Sequence, residues 1–151
     1  MTVEGNVTEG SCRCGQVRLK AHGRPMLTMA CHCTGCQKMT ASAFSLSAFY
    51  SQEAVEVSGL EPVIGGIHGE LHHYCCPYCM SWLFTRAEMM GPFVNLRATM
   101  LDDAHDFRPF IETYTSEMLP WATTPAVHSF EKFPPMEVFA GLIAEFAASG
   151  A

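Results

Sequence analysis

Cys31-His32-Cys33-Thr34-Gly35-Cys36 places three cysteines within six residues, in the order Cys-x-Cys-x-x-Cys. Two further pairs flank it, Cys12-x-Cys14 upstream and Cys76-x-x-Cys79 downstream. If the outer pairs converge on one metal ion, the central cluster holds a second with only three protein ligands. That missing fourth ligand organises the reading of the rest of the chain.

The chain is 151 residues long, a length that suits one domain with one core. With 15 acidic against 9 basic residues the formal net charge is −6. This argues against a nucleic-acid partner, because such binding rests on cations meeting phosphates. The opening residues lack the basic and apolar regions of a signal peptide. No apolar run reaches the roughly 18 residues that a bilayer span needs. The expectation is a cytoplasmic protein, in a compartment where thiols stay reduced. Its eight cysteines then read as metal ligands or reactive groups before disulfides.

Residues 1–10 show no hydrophobic period and are expected to form a loose arm. Cys12 and Cys14, two apart in an extended segment, can aim both sulfurs at one point, and Gly15 permits a sharp turn after them. Gln16 to Ala21 alternates polar and apolar residues and predicts a half-buried strand, ended by a turn over His22 to Pro25. Met26 to Cys33 predicts a second strand with Cys31 and Cys33 on one face and His32 on the other. A tight turn at Thr34-Gly35 would bring Cys36 back beside them, and residues 37–43 would form a short connector containing one helical turn.

Further strands are expected over Ala43 to Tyr50, Ala54 to Ser58, Trp82 to Phe84, Phe93 to Arg97 and Phe110 to Thr115. Glycine-rich turns with one short strand fill residues 59–70, and Leu71 to Cys75 leads into a knuckle at Cys76-Pro77-Tyr78-Cys79. Asp102-Asp103 marks a turn, and residues 120–135 are expected to be irregular. Val138, Phe139, Leu142, Ile143 and Phe146 form the stripe of an amphipathic helix over about 135–148, with Pro135 at its start. The predicted fold is mainly β, with a C-terminal α-helix and a single domain over residues 1–151.

The outer pairs, Cys12, Cys14, Cys76 and Cys79, read as a structural zinc site tying the first strand to a distant knuckle. Two unrelated pairs of buried cysteines are the alternative. Cys75 points away from Cys76 and reads as buried filler. In the central cluster, three thiolates on Zn²⁺ leave an open position, the layout of a catalytic site. Such a site carries a formal −1 and is a poor Lewis acid. It suits a soft thiolate ligand better than hydrolytic water. The alternatives are closure by His32 or another histidine as a structural site, and metal-free redox thiols. Lys38, Arg86 and Arg97 are candidates to meet an anionic substrate, or else solvated surface charges. Trp121 and Tyr78 are expected to pack in the core, with pocket lining as the second reading.

Gly10-Ser11-Cys12-Arg13-Cys14-Gly15-Gln16-Val17, Cys31-His32-Cys33-x-x-Cys36-Gln37-Lys38 and Cys76-x-x-Cys79 followed by Leu83 together resemble the glutathione-dependent formaldehyde-activating family, which also includes centromere protein V. The resemblance runs from about Gly10 to Trp121. It implies a zinc-pinned β-tent of small antiparallel sheets, similar to that of certain Rab-associated zinc chaperones. It also implies a structural Zn²⁺ on Cys12, Cys14, Cys76 and Cys79 and a catalytic Zn²⁺ on Cys31, Cys33 and Cys36. The implied activity is that of a carbon–sulfur lyase forming or breaking S-(hydroxymethyl)glutathione or a related thiol–aldehyde adduct. Its partners would be a small thiol such as glutathione and an aldehyde. A non-catalytic zinc module that carries a thiol adduct or binds a protein is the competing expectation, and an uncovered apolar helix face would favour a homo-oligomer. The chain departs from the family pattern at Met80 and Ala41, where the family often has glycine. A left-handed backbone at Met80 would cost roughly 1 kcal/mol.

Overall fold

The computed structural model describes residues 6–150. The described chain is mainly β with a C-terminal helix, and it falls into two compact units, each assembled from two segments. Among the described residues the first takes the stretch up to residue 25 and 49–107, and the second takes 26–48 and the stretch from residue 108 onward. The division falls inside a single strand, β4 (Ser45–Ser51).

In the first unit, β1 (Val7–Ser11) pairs antiparallel with β2 (Val17–His22), which pairs antiparallel with β5 (Val55–Gly59). Val17, Leu19 and Ala21 alternate inward and are almost fully buried, so the predicted half-buried strand is present. Val7 to Gly10 belong to β1, which corrects the expectation of a loose arm; residues 1–5 of that arm lie outside the described residues. The pairing partner is a neighbour in sequence, but the cause of order is tertiary. Gly10 bridges Leu101, whose Cα would stand 2.9 Å from a Cβ at this position, and the Asp102 N–H donates to the Glu9 carbonyl at 2.8 Å. A second antiparallel ladder in this unit runs β9 (Phe93–Arg97), β8 (Trp82–Ala87), β7 (Leu71–Cys75), β6 (Val63–Gly65). Leu83, Val94 and Leu96 are fully buried there.

In the second unit the strand order is β11 (His128–Ser129), β10 (Ile111–Thr113), β3 (Leu27–Cys31), β4. The expectation of antiparallel pairing throughout does not hold here: β10 is parallel to both β3 and β11. Parallel pairing needs a long connection, and about 80 residues separate β3 from β10 in sequence, as the bond from Thr28 Oγ1 to the Arg108 carbonyl illustrates. β11 lies in the stretch predicted to be irregular; its ladder is two residues long, too short to leave a period in the sequence.

Helix α1 (Thr34–Thr40) replaces the predicted tight turn and most of the connector. It starts at once after Cys33, whose Sγ accepts the Cys36 N–H as a helix cap. Helix α2 (Met136–Ser149) appears where the apolar stripe predicts it. Phe139, Leu142 and Phe146 are buried, and Phe146 meets Phe110 edge-on with ring centroids 5.3 Å apart. Each such side chain contributes roughly 1.5–3 kcal/mol by leaving water. Val138 and Met136 stay exposed at the start of the helix.

Candidate metal centres

Cys12, Cys14, Cys76 and Cys79 converge within the first unit, their sulfurs all lying within 4.8 Å of one another. Sulfurs placed tetrahedrally about 2.3 Å from a shared ion stand about 3.8 Å apart. Here Cys14 and Cys76 are 3.8 Å apart and Cys12 and Cys14 are 3.5 Å apart. The donor set therefore fits a tetrahedral metal. Gly15 takes the left-handed conformation, φ 85°, that the turn after Cys14 requires. At the knuckle, the N–H groups of Tyr78 and Cys79 donate to Cys76 Sγ at 3.4 Å, and the Met80 N–H closes the turn on the Cys76 carbonyl. Met80 has φ 63°, so the left-handed position anticipated from the departure at this residue is real. Burial works against ionisation of Cys79, but bonds from the Ser81 hydroxyl and from the backbone of Cys14 and Ser81 outweigh it and bring the thiol down to about 5. Cys75 is buried and stands outside the group, its burial pushing the thiol up.

Cys31, Cys33 and Cys36 converge in the second unit, again with all sulfurs within 4.8 Å of one another, and no fourth His, Cys, Asp or Glu joins them among the described residues. Strand β3 delivers Cys31, the extended Cys33 two residues on caps α1, and the first turn of α1 returns Cys36. The Ser45 hydroxyl donates to Cys36 Sγ at 3.1 Å and the Cys36 N–H donates to Cys33 Sγ at 3.3 Å. Hydrogen bonding from Cys36, helped by Thr113, draws Cys31 down to about 5 against the effect of burial. The same bond and burial hold the proton on Cys36 well above the ordinary thiol range.

His32, the nearest candidate to close the site, does not join it. Its ring is fully buried and its Nε2 lies 2.8 Å from Glu112 Oε1. Cys31 and Cys33 therefore do face away from His32, as the alternation in a strand requires. Gln37 ties the start of α1 down, donating to the His32 and Glu117 carbonyls at 2.7 and 3.0 Å, and Glu117 Oε1 accepts the Thr34 N–H. Glu112, Glu117, Ser45 and Thr113 are residues that the cysteine spacing does not reveal. The one local signal is Glu112, a carboxylate within the otherwise apolar and β-branched run Phe110-Ile111-Glu112-Thr113.

The other candidates scatter. Lys38 is exposed on α1, two residues beyond Cys36. The Arg97 guanidinium is buried and lies 4.1 Å from the Trp82 ring centre, so it is no solvated surface charge. Arg86 lies over Phe84 at 5.0 Å. Trp121 and Tyr78 are 72% and 73% exposed, which overturns the expectation of core packing. Both sit in turns: Tyr78 within the knuckle, where the backbone bonds to sulfur set its direction, and Trp121 beside Pro120.

Two clusters of thiols lie on a β framework, one with four sulfurs and one with three, and each could hold a metal ion. The model of the glutathione-dependent formaldehyde-activating enzyme family matches residues 7–117, and the chain belongs to that family. No curated protein matches it. Among solved structures, the crystal structure of a Rhodobacter sphaeroides protein is similar with a TM-score of 0.50 and 15% identity, over 62% of this chain and 87% of that one. That likeness concerns the fold alone. Among the described residues no helix is long and apolar enough to cross a membrane.

Proposed function

We propose that the chain is a zinc-dependent carbon–sulfur lyase of the formaldehyde-activating type, acting on S-(hydroxymethyl)glutathione or a related thiol–aldehyde adduct. The observation that carries this reading is the cluster of three sulfurs with no fourth ligand among the described residues, combined with the engagement of His32 by Glu112. Cys12, Cys14, Cys76 and Cys79 would hold one Zn²⁺ in a closed structural site. Cys31, Cys33 and Cys36 would hold a second, which when bound supplies an electron-rich centre with one position open to a soft ligand.

In the synthetic direction the thiol sulfur attacks the aldehyde carbon. A carbon–sulfur bond forms, the carbonyl π bond breaks, and the thiol proton ends on the new hydroxyl. The reverse reaction returns thiol and aldehyde. The protein's part is to lower the cost of bringing the two reactants together. Ser45 holds the Cys36 sulfur in place through its hydroxyl, and the exposed Lys38 ammonium, close in sequence to Cys36, offers a charge for a substrate carboxylate.

Exchange between formaldehyde and glutathione, followed by NMR with metal-loaded wild type and with Cys36→Ala, tests the proposal. The wild type should accelerate exchange over buffer and Cys36→Ala should not. No acceleration by the loaded wild type would leave a non-catalytic zinc module that carries the adduct or binds a partner.

A further inference from the structure

Strand β10 contains no cysteine, yet it lies along the limb that carries two of the three central sulfurs. Its register with β3 sets Glu112 opposite Ala30 and Thr113 opposite Cys31, and the His32 N–H continues the ladder onto the Thr113 carbonyl at 3.0 Å. Neighbouring residues of a strand face opposite ways. Thr113 thus stands level with Cys31, and Glu112 turns its carboxylate to the His32 ring.

Glu112 is buried, and a buried carboxylate is unfavourable unless donors replace its water. Three do so. His32 Nε2 lies 2.8 Å from Oε1, Thr124 Oγ1 donates to Oε1 at 2.9 Å, and Ser129 Oγ donates to Oε2 at 2.6 Å. The carboxylate is thereby fixed from three separate points of the chain. The His32 ring has no second polar anchor: its Nδ1 is buried without a hydrogen-bond partner among the described residues, and an edge-on contact with Phe44 adds packing alone. The orientation of His32 thus depends on Glu112, and His32 is the one residue between Cys31 and Cys33.

We propose that Glu112 is a positioning residue of the three-thiolate site. By holding the His32 ring on one side of the strand, it sets the direction of Cys31 and Cys33 on the other side, and with it the sulfur spacing that a metal requires. The proposal rests on the reading that Cys31, Cys33 and Cys36 hold a metal. Groups bonded directly to a ligand commonly change metal affinity by about 10- to 100-fold when removed, and Glu112, which acts through His32 on the backbone between two ligands, is expected at the lower end of that range.

Cobalt(II) titration of the full-length protein tests it, with sulfur-to-cobalt charge-transfer bands and competition against a chromophoric chelator as readouts. Wild type should take up two ions. Glu112→Ala should weaken the central site by about tenfold or more and shift its bands, while the Cys12, Cys14, Cys76 and Cys79 site stays filled. Glu112→Gln, which keeps an acceptor for His32, should restore most of the affinity. Unchanged central affinity in Glu112→Ala would overturn the proposal, and so would equal weakening of both sites, which marks a general loss of structure. Should Glu112→Ala fail to fold, Thr124→Ala combined with Ser129→Ala frees the carboxylate while leaving its contact with His32. That variant should loosen the central site alone by a few-fold, and no change there would overturn the proposal. A wild type that binds one ion would instead remove the underlying reading of the cluster.

Discussion

The two cysteine clusters use the same donor atom and differ in what surrounds it. Around Cys12, Cys14, Cys76 and Cys79, three backbone N–H groups reach sulfur, Val17 at Cys12 and Tyr78 and Cys79 at Cys76, beside the side chains of Gln16 at Cys14 and Ser81 at Cys79. Backbone donors are fixed by the fold. Around Cys31, Cys33 and Cys36, one of the donors is the side-chain hydroxyl of Ser45, and the supporting carboxylate, Glu112, lies in a strand far away in sequence. Side-chain donors can be tuned one residue at a time. The plainer difference is one of number: four sulfurs fill a tetrahedron and three leave one position of it open.

The sharpest way to break this contrast is to remove one sulfur from each. Cys76→Ala should abolish cooperative folding, because a structural zinc contributes on the order of 10 kcal/mol, comparable with the whole net stability of a domain. Circular dichroism melts and zinc content measure this directly. Cys36→Ala should lose one zinc and keep its melting transition within a few degrees. Equal destabilisation by the two variants would show that both clusters are structural.

A second contrast concerns acidity in protein whose central site has been emptied by a mild chelator while the four-cysteine site stays loaded. Cys31 is lowered to about 5, chiefly by its bond from Cys36. A lowered value means that the thiolate persists as pH falls from 9 towards 5 and is lost below that. Iodoacetamide at pH 6.5, about two units below an ordinary thiol, should therefore label Cys31 ahead of Cys36, as peptide mapping by mass spectrometry would show. In Cys36→Ala the donor is gone, and labelling of Cys31 at that pH should fall several-fold. Labelling that stays as fast would mean that Cys36 is not the cause.

The two cysteine groups and most strands were legible for a physical reason. Cysteines at Cys-x-Cys and Cys-x-x-Cys spacings stand out from the rest of a chain, and a half-buried strand such as β2 must alternate. The same holds for α2, whose three buried residues, Phe139, Leu142 and Phe146, follow the helical period. What escaped was set by contacts remote in sequence. β1 is ordered partly by its approach to Leu101 and Asp102, and the direction of β10 follows from its pairing with β3 across a long connection. The start of α1 escaped for another reason. Thr34-Gly35 looks like a turn, but the Cys33 sulfur serves as the cap, a role usually taken by an oxygen. Of the support around the three sulfurs, only the unusual place of Glu112 in an apolar strand left a trace.

The smallest effects separate the clusters at the level of the backbone. Each is followed by a non-glycine residue in the left-handed region: Met80, φ 63°, directly after Cys79, and Ala41, φ 54°, at the end of the helix that carries Cys36. That conformation costs roughly 1–2 kcal/mol for a residue with a Cβ, while glycine gives back roughly 0.5–1 kcal/mol through the freedom of its unfolded chain. The balance favours Met80→Gly by about 0.5 kcal/mol, since the Met80 side chain is more than half exposed and little packing is lost with it. Ala41→Gly should gain a similar or smaller amount, because alanine also has little side chain to lose. Urea midpoints for the two single variants resolve differences of this size. A loss of stability in Met80→Gly would show that the methionine side chain itself braces the knuckle. A gain in Ala41→Gly accompanied by slower exchange would show that the helix end must stay rigid for Cys36 to hold its place.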